Sequence, residues 1–129
     1  MNSVEAALKE RIKELTCLYE VSSILVNADE TNHEETYSSI AQSIKIGFQY
    51  PEDTEVVIEQ GTFSVKTGSI KTDKKLTSAI QLFKKQAGSI RVYLNKIKLD
   101  FLPEEQPLID NIALKIGDYL ERLAIKQNE

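Results

Sequence analysis

Near its end the chain commits to one long amphipathic helix, and that helix limits what the rest can become. The stretch reads Phe101-Leu102-Pro103-Glu104-Glu105 and then continues with helical spacing to Gln127. At about 100° per residue, Leu108, Ile109, Ile112, Ala113, Ile116, Tyr119, Leu120 and Leu123 fall within an arc of roughly 140°. Asp110, Asn111, Lys115, Asp118, Glu121 and Arg122 fill the opposite side. Pro103 suits the first turn, where its missing N–H would be unpaired anyway. Glu104 and Glu105 sit at the positive end of the helix dipole. An apolar stripe this broad needs a large apolar partner.

The length of 129 residues fits one domain, and 41% hydrophobic residues are enough for a core. The net charge of −4 is mild and Lys and Arg are scattered, which argues against nucleic acid as a partner. No apolar run is long enough to span a bilayer, and no signal-peptide pattern opens the chain. Cys17 is the only cysteine, so no internal disulfide can form, and a cytoplasmic setting is expected.

Ahead of the closing helix the apolar period changes twice. Residues 1–26 predict a helix, with Ser3 as candidate N-cap. Leu8, Ile12, Leu15, Tyr19 and Ser22 follow the four-three spacing of a coiled-coil seam. Leu18, Val21 and Leu25 make a second stripe, and Cys17 and Ile24 lie on a third side. The second half of this helix is therefore apolar almost all round and must be buried on several sides. Residues 32–50 predict a second helix with Tyr37, Ile40, Ala41, Ile44 and Phe48 on one face, ended by Gly47 and Pro51. Then the period falls to two over residues 54–94. Strands are expected over 54–60, 62–67, 75–83 and 87–94, with a turn at 84–86. Val56 and Ile58 share one face and Phe63 and Val65 another. Ile90, Val92 and Leu94 face in, and Arg91 and Tyr93 face out. Gly88 allows a bend or a close backbone approach. Residues 103–127 form the closing helix. Strands clustered between helices specify an α+β domain with an antiparallel sheet of about four strands, the long end helices packed on one of its faces.

The order of elements and three stretches resemble a GAF domain. Leu15-Thr16-Cys17-Leu18-Tyr19-Glu20-Val21-Ser22-Ser23-Ile24-Leu25 is similar to that family's opening helix. Ile80 to Leu94, with a Lys-Gln-Ala-Gly turn before Ser89-Ile90, is similar to its late strand pair. Phe101-Leu102-Pro103-Glu104-Glu105, followed by Leu108, Ile109, Ile112 and Ala113, is similar to its closing helix. The opening stretch, with Gln49-Tyr50-Pro51-Glu52, most resembles the input modules of bacterial sensor histidine kinases in two-component systems. The chain departs from the family in the middle. Only Gly68 to Lys74 stands between the second and third strands, where the family carries a helix and loops over a small-molecule pocket. The resemblance implies a cytoplasmic, non-enzymatic sensory or regulatory module that relays a signal through its end helices to a downstream domain or partner protein. It leaves the identity of any small-molecule ligand open.

Few residues suggest chemistry. His33, the only histidine, sits in a polar run near a helix start and reads as a surface residue; adjacent Glu34 and Glu35 point apart on a helix and cannot join it on a metal. Cys17 reads as a small packing residue. Asn95-Lys96, Phe101 and Glu104-Glu105 are similar to the signature of cyclic-nucleotide-binding GAF domains, with the spacing short by one residue and Glu in place of the first Asp. Lys71, Lys74, Lys75, Lys84, Lys85 and Arg91 make the sheet region locally basic and read as a solvated face. The expected reading has no catalytic residue, no metal and no cofactor. The surplus apolar surface predicts a parallel homodimer with Leu8, Ile12, Leu15 and Tyr19 from the first helix and Leu114 and Ile125 from the last in its interface. The alternative is a dimerisation or protein-interaction module that binds no small molecule.

Overall fold

A computed structural model of the chain describes residues 2–128. The elements run α1 (Ser3–Val26), α2 (His33–Gly47), one 3₁₀ turn (Pro51–Asp53), β1 (Thr54–Gln60), β2 (Phe63–Lys66), β3 (Lys75–Leu82), β4 (Lys85–Leu94) and α3 (Glu105–Gln127). The class is α+β, with three helices and a four-stranded antiparallel sheet in the order β2-β1-β4-β3.

Local chemistry sets the boundaries. Asn2, rather than Ser3, caps α1, accepting from the Glu5 N–H at 2.8 Å. Asn32 caps α2 through the Glu35 N–H at 3.2 Å. α3 begins at Glu105, so Pro103 precedes the helix and Pro107 takes the first-turn place. The β1–β2 connection has Gly61 at φ +59°, a conformation that suits glycine. Between β3 and β4 the turn is Phe83-Lys84, at φ 50° and 67°, one position earlier than the sequence predicts. The Glu121 carboxylate accepts from the Phe83 N–H at 2.9 Å, so α3 helps hold this turn.

The register decides which side chains meet. Ile58 pairs with Val65 and Gln60 with Phe63, so the two-residue turn puts Phe63 and Val65 on the same face as Val56 and Ile58. The expectation of separate faces is corrected by that turn length. Val56, Ile58, Val65, Ile80, Ile90 and Val92 build one buried face. Gly88 lies against β1, where an added Cβ would meet the Glu59 carbonyl at 2.1 Å.

Two helices cover that face. α2 lies over β1 and β2, and α3 lies chiefly over β3. α1 does not join them on the sheet as expected. It rests on α2 and α3 as an outer layer. The reason is space: four strands are covered by two helices, and the connection between α2 and β1 is too short to carry α2 elsewhere. α1 runs antiparallel to α2 and parallel to α3. Its start lies beside Leu102–Glu104, and its end beside Lys115, Asp118 and Arg122.

Candidate functional site

The surface of α1 is where the fold leaves apolar material unused. Glu14, Cys17, Val21 and Leu25 are buried against the layer beneath. Cys17 packs on Gly47 of α2, whose Cβ, if present, would sit 2.9 Å from that of Cys17. Burial pushes the Cys17 thiol up to about 12, so it is not a reactive thiolate. Around it Lys13 donates to the Phe48 carbonyl at 2.6 Å and Ser43 donates to Glu20 at 2.5 Å. Cys17 is therefore a packing residue, as the sequence predicts.

The opposite side of α1 is bare. Leu8 is 59% exposed, Ile12 55%, Leu15 49% and Tyr19 77%. Val26 continues the same heptad spacing and is also exposed. In heptad terms Ile12, Tyr19 and Val26 fall at a, and Leu8, Leu15 and Ser22 at d. Ile46 of α2, also exposed, lies next to this seam, lining one groove with Ile12 and another with Tyr19. The second groove, about 610 Å³, has apolar Ile24 and Ile46 in its lining and the hydroxyls of Ser23, Ser38, Ser39 and Ser43 around them. Ile46 was not among the residues expected here; its signal was an apolar side chain standing off the apolar face of its own helix.

Of the two α3 residues expected in the interface, one is placed away from the α1 seam. Leu114 is exposed in a groove beside β3, with Ser78, Ala79 and Gln81. Ile125 is exposed near the end of α3. The side of α3 that meets α1 instead carries Lys115, Asp118 and Arg122.

The remaining candidates are drawn into structural duties. His33 is half-buried, not on the surface: its ring lies 5.4 Å from that of Phe63 and 6.3 Å from that of Tyr37. The aromatic pair buries it because the β1–β2 hairpin closes against the start of α2. Asn95 accepts from the Lys71 N–H and donates to the Ser69 carbonyl, both at 2.9 Å, pinning the loop between β2 and β3. Lys96 pairs with Asp53 at 3.6 Å, and Phe101 meets Phe48 edge-on at 6.1 Å. Glu105 accepts from the Leu102 N–H at 2.7 Å and the Gln49 N–H at 2.8 Å, clamping the start of α3 to the end of α2. Its pKa is raised, first by burial and then by Glu10 and Glu14, against the pull of those two N–H groups. Asn95, Lys96, Phe101 and Glu105 thus hold four separate contacts.

The outer face of the sheet is polar. Arg91 holds Glu59 at 2.5 Å and the Tyr93 hydroxyl at 3.1 Å, and the Lys75 ammonium stands 5.6 Å above the Tyr93 ring. Lys74 is taken up by Asp100 and by the Ile97 and Leu99 carbonyls. Lys74, Lys75 and Arg91 are therefore each held by local partners. Among the described residues no group of three or more His, Cys, Asp and Glu side chains is placed to hold a metal, and no helix is long and apolar enough to cross a membrane. The chain matches no protein-family model and no curated protein at a significant level.

Proposed function

We propose that this chain is a GAF-like, non-enzymatic regulatory domain that works as a parallel homodimer through α1, as an input module of a signalling protein such as a sensor histidine kinase. The single observation that carries the reading is the heptad-spaced stripe Leu8, Ile12, Leu15, Tyr19 and Val26, which lies exposed on a helix whose other face is buried. Ile at a and Leu at d favour two parallel strands. Single exposed leucines are ordinary, but an apolar stripe broken only by Ser22, with Ile46 beside it, marks an interaction surface. α1 and α3 run the same way, so a shift in how α1 seats on α3 moves both ends of the helix layer together. Signalling by this route needs two packing states, biased by a ligand or partner.

The second reading, a dimerisation module with no small-molecule ligand, is favoured by the outer sheet face. There the loop between β2 and β3 is short, Arg91 is held by Glu59, and Lys75 stands over the Tyr93 ring. A thermal-shift screen against small molecules separates the two, since a ligand of the folded state raises the midpoint by mass action. For the dimer itself, sedimentation at micromolar concentration is expected to show twice the monomer mass. Leu8→Glu with Leu15→Glu is expected to return the monomer without loss of helicity, because each change places an unpaired charge in the seam. A monomer of unchanged mass at rising concentration would sink the proposal.

A further inference from the structure

We propose that β3 is a docking edge for an extended, basic segment of a partner protein, which adds to the sheet as a fifth strand and lays its side chains on α3. The two edges of the sheet are unlike. β2 is four residues long, whereas β3 has eight. Edge strands are ordinarily blunted by charge or proline, yet from Leu76 to Leu82 there is neither. The register irregularity at Ile80 and Gln81 lies toward the hairpin end, and Lys75 to Ile80 stays regular. Thr77 turns its carbonyl away from β4, since the Gln106 amide donates to it from outside at 3.0 Å. By antiparallel alternation, Lys75 and Ala79 present their backbone groups in the same direction. The outward side chains of Thr77 and Ala79 are small and exposed, so another backbone can approach.

Beside this edge α3 forms a shelf. The groove between them, about 420 Å³, is lined among others by Ala79, Leu114, Asp110, Asp118, Glu121 and Lys84. Leu114, 65% exposed, offers an apolar seat for alternate side chains of an added strand. Asp110 accepts from Ser78 and Gln106, and Glu121 from the Phe83 N–H, all neutral donors. Three carboxylates against one ammonium therefore still leave a negative surplus that calls for lysine or arginine on the incoming segment. A second copy of β3 fits less well, because two-fold pairing brings the same carboxylates face to face. The incoming strand takes over the hydrogen bond that Gln106 now makes to Thr77.

The test uses the full chain and a fluorescein-labelled eight-residue peptide alternating lysine and valine, followed by anisotropy. Saturable binding is expected, weakened at least about tenfold when every second peptide amide is N-methylated in one of the two alternations, because main-chain donors carry this mode of recognition. Ala79→Pro is expected to weaken it similarly while leaving the ladder to β4 intact, since the Ala79 N–H points outward. Asp118→Lys is expected to weaken it and reduce its salt dependence. The proposal is overturned by absence of saturation below about 1 mM, by equal binding of both N-methylated peptides, or by equal binding of a glutamate–valine counterpart. The N-methylated peptides leave the protein unaltered, so their result stands even if Ala79→Pro does not fold. The N-methylated peptides and Ala79→Pro leave the α1 seam untouched, so their outcomes are separate from the dimer's.

Discussion

The two long helices at the ends of the chain carry similar numbers of apolar residues and are used in opposite ways. α3 gives up its stripe to the interior: Leu108, Ile109, Ile112, Ala113, Ile116, Tyr119 and Leu120 are buried and Leu123 is half-buried. α1 gives up Cys17, Val21 and Leu25, and keeps Leu8, Ile12, Leu15 and Tyr19 in solvent. The difference follows from layer order. α3 lies between the sheet and α1, so it is covered from two directions, while α1 is covered from one. A buried stripe makes the fold, and a stripe that the fold leaves over is available to a partner.

The largest expected effect tests that contrast directly. Ile112→Ala or Ile116→Ala is expected to cost about 2–5 kcal/mol in denaturant unfolding, from lost transfer energy plus an unfilled cavity. Leu8→Ala or Leu15→Ala is expected to shift the stability of a monomer by no more than about 0.5 kcal/mol. Equal costs on the two helices would erase the distinction.

Two glycines sharpen it. Gly117 lets α3 approach β3 so closely that an added Cβ would stand 2.5 Å from the Gln81 carbonyl oxygen. Gly117→Ala is expected to cost about 1–3 kcal/mol, because backbone on both sides must move. Gly47→Ala on α2 meets only the Cys17 side chain of α1, at 2.9 Å to its Cβ, among close neighbours. Its cost is expected to be smaller, since α1 as an outer layer can shift. A larger loss at Gly47 than at Gly117 in thermal melts would place the rigid contact on the wrong helix.

Thiol labelling reads the same difference as a rate. Cys17 is 2% exposed under α1, with its thiol pushed up to about 12. Labelling of the native chain is expected to be slow, yet faster than global unfolding, because α1 opens from α2 while the sheet and α3 stay closed. A labelling rate equal to the global unfolding rate would show α1 to be part of one cooperative unit with α3.

The smallest effect concerns Glu105, where α1, α2 and α3 meet. Its folded pKa lies above the ordinary 4.5, first because of burial. A carboxyl with a raised folded pKa binds its proton more tightly in the folded state, so its contribution to stability grows as pH falls toward 4.5 and is lost as pH rises through the raised value. The midpoint of wild type relative to Glu105→Gln is therefore expected to rise on acidification across that window, and to rise slightly less when Glu14, the weakest of the causes that raise it, is replaced by Gln. A relative midpoint that falls on acidification would mean that the Gln49 and Leu102 N–H groups outweigh burial.

Much of the fold is legible in local chemistry. The switch from a period of 3.6 to 2 places the three helices and four strands, because periodicity reports which side of an element meets water. Asn32 and Gly61 mark a helix start and a turn through capping and backbone freedom that depend only on near neighbours. The seam on α1 is visible as spacing alone. Less legible is the β3–β4 turn, since Phe83 and Lys84 carry no turn signature, and their positive φ is supported by α3 through Glu121. His33 is likewise unreadable as a half-buried ring, because Phe63, which covers it, arrives from another element.

By itself, then, the sequence determined the kinds of element, their approximate limits and the faces that are apolar, all consequences of interactions within a few residues. Only the tertiary structure decided which apolar face is covered by which element. It put α2 and α3 on the sheet, lifted α1 into an outer layer, turned Phe63 and Val65 to the core through the hairpin register, and left Leu114 beside β3 instead of beside α1. An apolar face has no address of its own, because burial is non-directional and any surface of matching size will serve. The choice among partners is made by strand register, connection length and the space remaining once the other layers have packed.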